Sequence, residues 1–405
     1  MTLLHGKNYG RPTLDLNFAE NKSLIDTVTG RNLITFSRSQ SGKEATYVGS
    51  DGLIKYAGAD EPRFDYDPVS GVCKGLLIEE QRTNGVFQSG QIGATPWVLV
   101  GSGTANLNAA IAPDGTLTAT RIQANTYISG NTHGFGSNGC QSIFVKADST
   151  SIIDIRNVNN SNWLRFDIDL GTITPIGASV VYSQEKIEYF ANGWARISYF
   201  GGTGSAFVFR TIPTTETIFV WGAQAELGSF PTSYIPTSGA QVTRNADEAS
   251  ITGTNFSSWY NSSAGTVFTK FKSQYPDGEP TTIFEGQAGS TIRIFAFTNY
   301  NRVQFQYGST GVYSNNGASG YPAASDFSSA ALFYTDDGTN SSFGGSFQGF
   351  PVVSDTGTGG VTTSELKLAP FTGAGGASQA SSAHLSRLTY YPVRLPDATL
   401  QALTL

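Results

Sequence analysis

The sequence predicts an all-β protein, with an N-terminal β-rich segment followed by two antiparallel jelly-roll β-sandwiches. Three observations lead there. Charged residues make up only 14% of the chain, while aromatics reach 12% and glycines number 47. That is the composition of short strands joined by many turns rather than of amphipathic helices. Apolar residues recur with a period of two along stretches such as Leu164, Phe166 and Ile168, the pattern of a strand with one buried face. Turn signals recur between these stretches, the strongest being Asn192-Gly193 between Ile187–Phe190 and Trp194–Phe200. With 405 residues, the chain is too long for a single ordinary sandwich.

Residues 1–90 open with Leu14–Phe18, alternating like a strand, and Asn32–Phe36, a second one. Thr46-Tyr-Val48 and Leu53–Tyr56 flank the turn Gly49-Ser-Asp-Gly52 and predict a hairpin. In Pro62–Pro68, Phe64 and Tyr66 fall on one face and Arg63, Asp65 and Asp67 on the other, which reads as a solvated polar face. Gly75–Ile78 is apolar on both faces, as a fully buried strand would be.

Residues 91–244 carry the first sandwich. Pro113-Asp-Gly115 is a turn, Ile143–Ala147 a strand, and Leu164, Phe166, Ile168 and Leu170 alternate with Trp163, Arg165, Asp167 and Asp169. The strand from Phe219 to Leu227 has Phe219, Trp221, Ala223, Ala225 and Leu227 on one face and Val220, Gly222, Gln224 and Glu226 on the other. Gly228 ends it. Phe230–Gly239 then contains two prolines, each of which holds its predecessor extended, and reads as a stiff connector between domains.

Residues 245–405 form the second sandwich. Asp247–Ile251, Thr266–Phe271, Thr282–Phe284, Thr291–Phe297, Val303–Tyr307, Leu332–Tyr334, Glu365–Leu368 and His384–Leu395 are its strands. Asp336-Asp-Gly338 is a turn, Thr372–Gly376 a glycine-rich loop, and Pro396–Leu403 a closing helix.

Two series of motifs carry a resemblance. Trp221-Gly-Ala-Gln-Ala-Glu-Leu-Gly-Ser-Phe-Pro-Thr-Ser-Tyr-Ile-Pro-Thr237, running on to Val242-Thr-Arg-Asn-Ala-Asp247, is the first. The second comprises Phe36-Ser-Arg38, Ala45-Thr-Tyr-Val48, Gly52-Leu-Ile54, Pro62-Arg-Phe-Asp-Tyr-Asp-Pro-Val69 and Gly75-Leu-Leu-Ile-Glu-Glu-Gln-Arg-Thr-Asn84. Together, in order over about the first 250 residues, they resemble a set of bacteriophage virion proteins with a carbohydrate-binding-module-like sandwich. The ending His384–Leu403 resembles concanavalin A-like, laminin G-type lectin domains. The resemblance implies a virion structural protein, made in the host cytoplasm and released by lysis. It would be a tail-associated appendage such as a fibre or receptor-binding component, with glycan recognition on the host surface. The alternative is a capsid decoration protein whose sandwiches bind neighbouring subunits. Partners would be other virion proteins, further copies of the chain in a homo-oligomer, and a host cell-surface glycan.

Acids outnumber bases, 31 to 25, and no run of Lys or Arg appears. A nucleic-acid partner needs a basic stripe and is not expected. No apolar stretch is long enough to cross a membrane, and Met1–Lys7 lacks the basic-then-apolar start of a secretory signal. The two cysteines, Cys73 and Cys140, have no framework spacing and read as thiols.

Catalysis finds little support. Glu79 and Glu80 are neighbours on a strand and point to opposite faces, so they cannot flank one glycosidic bond. Gly71-Val-Cys73-Lys-Gly75 has the outline of a nucleophile elbow, but a strand follows where a helix is required. The three histidines, His5, His133 and His384, are far apart in sequence, which leaves a Cys/His pair or a zinc site without ligands. The expectation is a binding protein rather than an enzyme.

For sugar binding the candidates are Trp97, Tyr127, Trp163 and Trp194, since a pyranose lays its apolar face on an aromatic ring. Trp163 falls on the polar face of its strand; the others are equally well read as core aromatics. Asp167 with Asp169, and Asp336 with Asp337, could supply oxygen ligands to Ca2+. A solvated face and an ordinary turn are the competing readings of those pairs, and no other cofactor is expected.

Overall fold

The computed structural model describes residues 10–40, 42, 44–124, 126–131, 139–157, 162–177, 183–202, 206–274, 280–287, 292–297, 302–315, 327–358, 360, 363–370 and 382–405. The glycine-rich loop Thr372–Gly376, His5 and His133 lie outside them. The protein is all-β, with antiparallel pairing throughout its extended strands and only short helices. No described helix is long and apolar enough to cross a membrane.

The chain divides into two compact units. One comprises residues 1–38, 73–80 and 247–405, and the other residues 39–72 and 81–246. The first ninety residues therefore do not form a unit of their own, as the sequence suggested. Leu14–Leu16, Thr35–Ser37 and Cys73–Ile78 pair into the sheets of the first unit, whereas Ala45–Val48 with Ile54–Ala57, and Arg82–Asn84 with Val242–Arg244, form separate two-stranded ladders in the second.

In the first unit, one sheet runs Val353–Thr358, Asn340–Phe347, Ser328–Asp336, Ala264–Ser273, Ala383–Tyr391, Cys73–Ile78, with Leu14–Leu16 also paired to Ala383–Tyr391. Cys73 thus begins a strand, and no helix follows it. The second sheet runs Thr35–Ser37, Glu248–Thr252, Glu365–Leu368, Pro280–Gln287, Ile292–Phe297, Arg302–Tyr307, Thr310–Asn315. The sheets pack face to face. Tyr307 stacks on Phe343 and Tyr334 at 5.9 and 5.6 Å, and a Cβ on Gly345 would meet the Phe305 ring at 2.7 Å. The closing helix, Asp397–Thr404, lays Leu400 against Phe268, Ala331 and Phe333.

The second unit is a sandwich of two six-stranded sheets. One runs Ser183–Tyr189, Trp194–Gly202, Gly139–Ala147, Ile218–Leu227, Leu117–Gln123, Thr104–Ile111; the other Thr172–Ile176, Trp163–Asp167, Ile152–Asn157, Ala206–Ile212, Tyr127–Asn131, Val98–Val100. The chain crosses repeatedly between them, in jelly-roll fashion. Ile143, Val145, Ile197 and Val220 from one sheet meet Ile153, Ile155, Leu164, Phe166, Phe207 and Phe209 from the other in one core. Each such side chain contributes about 1.5–3 kcal/mol by leaving water. At the Asn192-Gly193 hairpin both residues have positive φ, 61° and 76°, and Phe190 N–H bonds Trp194 O at 2.7 Å, as that dipeptide predicts.

Three local expectations are corrected. The strand Ile218–Leu227 does not keep one alternation. Ile218 and Val220 face the main core, but beyond Gly222 it is Ala223 and Ala225 that do. Gly222 sits at a register shift with φ 63°, and a Cβ there would meet the Phe144 ring at 2.8 Å. One residue in the left-handed region reverses which face is buried, and Trp221 joins Phe144, Trp194 and Tyr234 in a second cluster.

Phe230–Gly239 is not a free connector. Phe230, Thr232, Tyr234, Ile235 and Thr237 are buried, and polar side chains of the second unit take up the backbone. Glu226 accepts from Thr232 N and Oγ1 at 3.0 and 2.5 Å, and Gln224 accepts from Ile235 N at 2.7 Å. Arg196 donates to Thr232 O at 2.8 Å, and Thr237 N donates to Ser89 Oγ at 2.8 Å.

The polar face of Arg63–Tyr66 is the buried one: Arg63 is 0% and Asp65 5% exposed. Arg63 donates to Thr46 O and Ser233 Oγ, and Asp65 accepts from Val48 N, which replaces the water these groups lose.

Candidate functional site

Two features of the second unit gather polar and aromatic groups at the surface. The first is an open groove of roughly 680 Å³ formed around the hairpin Ala45–Val48 and Ile54–Ala57. Tyr47, Tyr56 and Tyr66 line it, with Asp51, Lys55 and Asp114 at its polar positions. The hairpin turns through Gly52, whose φ of 75° suits glycine, and Gly49 N–H bonds Leu53 O at 2.8 Å. Tyr56 Oη donates to Asp114 Oδ2 at 2.9 Å, which fixes that ring. Lys55 Nζ stands 2.6 Å from Asp51 Oδ2 and holds that carboxyl below its ordinary pKa. Burial, and then the negative charge of Glu61, raises the Tyr47 phenol, while burial and Asp114 raise that of Tyr56. Both phenols are therefore neutral near pH 7 and can give as well as accept hydrogen bonds. The hairpin is marked in the sequence and the groove is not. The available signal was a tyrosine on each of three successive short strands.

The second feature is the outer face of the sheet that includes Trp163–Asp167. Leu164 and Phe166 point into the core, so Trp163, Arg165 and Asp167 point outward, as the alternation predicts. Neighbouring strands add Asp154 and Arg156, Val208 and Arg210, and Tyr127 to that face. Trp163 is nevertheless 8% exposed, too covered to serve as an open stacking platform. The guanidinium of Arg210 lies 4.2 Å from its ring centroid and that of Arg156 4.6 Å, and Arg156 also stands 5.1 Å from the Tyr127 ring. Asp154, fully buried, receives Arg165 Nε at 2.8 Å and Arg210 Nη2 at 2.9 Å. The structure thus brings Tyr127 and Trp163 together through Arg156.

The other two candidate tryptophans are interior. Trp97 packs edge-on against Phe207 and Phe209 and donates Nε1–H to Gln88 O at 2.6 Å. Trp194 is 1% exposed and donates to Ile111 O at 3.1 Å. An indole whose one polar atom is satisfied and whose faces are covered cannot meet a sugar.

Neither aspartate pair makes a calcium cage. The strand ends at Asp167, so Asp169 belongs to the following turn rather than to the strand face, and Leu170 is 74% exposed. Asp167 accepts from Ser151 Oγ and from the amides of Asp169 and Leu170. Asp336 accepts from Gly338 N, Gly360 N and Tyr307 Oη; Asp337 accepts from Thr339 N and Asn340 N at 2.9 and 2.7 Å. These are turn-capping carboxylates, with donors where a cation would have to be. Among the described residues no three His, Cys, Asp or Glu side chains gather as metal ligands. Cys140 is a buried thiol whose pKa is raised by burial, and His384 is buried on its strand.

No protein-family model matches the chain, and no curated protein matches it. Among solved structures it is similar to the CBM40 module of a Ruminococcus gnavus IT-sialidase bound to α2,3-sialyllactose, at 13% identity over 37% of this chain and 87% of that one, TM-score 0.28. It is similar to a Trypanosoma rangeli sialidase in complex with 2,3-difluorosialic acid, at 11% identity over 70% of this chain and 60% of that one, TM-score 0.28. It is also similar to domains LG4–5 of the mouse laminin α1 chain, at 9% identity over 77% of this chain and 94% of that one, TM-score 0.26. At these values the chain shares with them no more than a general β architecture.

Proposed function

We propose that this is a saccharide-binding protein of the phage virion, carried as a tail-associated appendage, with the groove of Tyr47, Tyr56 and Tyr66 as its sugar site. The groove is the observation that carries the binding role. Three phenol rings offer faces for the C–H side of a pyranose, and Asp51, Lys55 and Asp114 offer acceptors and a donor for its hydroxyls. We read the role as binding: Lys55 holds one of the groove's two carboxylates and Tyr56 and Thr116 the other, which fixes them as acceptors for a ligand's hydroxyls. Support for the virion comes from the ordered motifs of the first 250 residues.

The sugar site is tested by a glycan array probed with the intact protein and with Tyr47→Ala and Tyr66→Ala. Loss of the wild-type signal in both variants supports the groove, and an unchanged signal removes it. Location is tested by the copy number in purified virions, by quantitative mass spectrometry against the major capsid protein. A small fraction of the capsid protein's abundance supports the tail. A value near equality would move the protein to capsid decoration, and its absence from virions would refute a structural role.

A further inference from the structure

The outer face around Trp163 carries three arginines, and they are not equivalent. Arg165 and Arg210 share the buried carboxylate of Asp154, so their charges are largely met from within the protein. Arg156 has no such partner: among the described residues no carboxylate lies within ion-pairing distance of it. Its Nε–H is shut off from solvent and has no acceptor. The guanidinium is also held in place, between the rings of Trp163 at 4.6 Å and Tyr127 at 5.1 Å. Cation–π contact with two rings limits the rotation of a side chain that is otherwise among the most mobile.

Counting the outward positions of these strands, Arg156, Arg165 and Arg210 face Asp154 and Asp167, which leaves one positive charge unbalanced. On one side of that charge Tyr127, Ile176, Ala206 and Val208 cluster with Trp163, and on the other lie Arg210 and Asp154. A single fixed planar fork beside an apolar border matches a singly charged planar anion on a partly apolar body. A phosphate dianion would leave a negative charge unmatched against those apolar groups. We infer that this face binds the carboxylate of an acidic saccharide, a uronic acid or similar sugar acid, with Arg156 as the anchor. The site is separate from the tyrosine groove and does not depend on the groove reading.

The experiment is titration calorimetry on the intact protein. Its two ligands are a glucuronate-containing tetrasaccharide and the carboxyl-reduced form of the same molecule, which differ only in carrying COO− or CH2OH at C6 of the uronate. The acidic form is expected to bind about tenfold or more tightly, and Arg156→Gln to abolish that preference. Arg156→Lys keeps the charge but not the fork, and is expected to recover only part of it, about threefold. Wild-type protein provides a check that needs no variant: acetate should compete for the site at concentrations where sulfate does not. Equal affinity for the two tetrasaccharides overturns the proposal, as does a preference that survives in Arg156→Gln. Sulfate competing better than acetate would make this a site for tetrahedral anions and also overturn it. Binding of the neutral sugar that is lost in Tyr47→Ala but kept in Arg156→Gln assigns that signal to the groove, so the two readings fail separately.

Discussion

The guanidinium of Arg210 covers the ring of Trp163 at 4.2 Å and at the same time gives Asp154 two hydrogen bonds, at 3.1 and 2.9 Å. Asp154 therefore does more than neutralise charge. It sets the height at which an arginine roofs the tryptophan, and with Arg165 on its other oxygen it orders the middle of the sheet's outer face.

Removing that carboxylate should be costly. Asp154→Ala leaves two arginines, each about a quarter to a third exposed, without their shared partner. Breaking a fully buried pair costs about 3–5 kcal/mol, and the partial exposure of both arginines reduces that to about 2–3. Urea denaturation of wild type and variant would measure it, and a loss below about 1 kcal/mol would show that solvent replaces Asp154 without difficulty.

A second prediction concerns the buried segment after the Ile218–Leu227 strand. Gln224 accepts from Ile235 N–H and donates to Ser233 O at 3.2 Å, both inside the second unit. Gln224→Ala leaves those backbone groups in an interior too dry to replace the bonds. The expected loss is about 2–4 kcal/mol, together with faster proteolysis between Gly228 and Gly239. Protection of the Ile235 amide from hydrogen exchange reads this directly; unchanged protection would mean the prolines alone hold the segment.

This segment also shows what could be read from sequence. The all-β class, the Asn192-Gly193 and Gly49–Gly52 hairpins, the outward side of Trp163 and the closing helix were legible, because alternation and turn chemistry are local. Phe230–Gly239 has the proline spacing of a linker, and nothing local shows that it is buried. What buries it is a set of partners, of which Gln224 and Glu226 are near in sequence and Ser89 and Arg196 remote. Trp97 and Trp194 show the same limit, since an indole near a strand end carries no mark of whether a ring such as Phe207 or Phe144 will cover it. The groove was missed because Tyr47, Tyr56 and Tyr66 meet Asp114 only after folding.

Gly222 supplies a third prediction. Its φ of 63° and the Phe144 ring 2.8 Å from the place of a Cβ act together, so Gly222→Ala meets both strain and a clash. The cost should be about 2 kcal/mol or more, and Trp221 fluorescence should change as its cluster repacks. Should Gly222→Ala prove neutral, the reversal of faces would have to be carried by the strand without a left-handed residue.

Alkaline pH provides the last test, through the tyrosines of the first unit. Tyr390 is 1% exposed; its Oη meets Tyr334 Oη at 2.8 Å and accepts from Asn261 N–H at 3.0 Å, and its ring packs on Trp259 at 4.9 Å. Burial pushes its phenol up to about 12, even though the bonds to Tyr334 and Asn261 pull the other way. Burial also raises Tyr334, reinforced by Tyr390 and Tyr260. A phenol is neutral when protonated, and the folded pKa lies above the unfolded value of 10.0. The contribution of Tyr390 to stability is therefore complete below pH 10 and is lost as pH rises from 10 to about 12, because the unfolded chain releases its proton first. Two pKa units correspond to roughly 3 kcal/mol, so urea midpoints measured at intervals from pH 9 to 12 should fall more steeply for wild type than for Tyr390→Phe. Parallel curves for the two proteins would mean that Tyr390 ionises in the folded state as readily as in the unfolded one, and that its buried contacts with Tyr334 and Trp259 open before the unit unfolds.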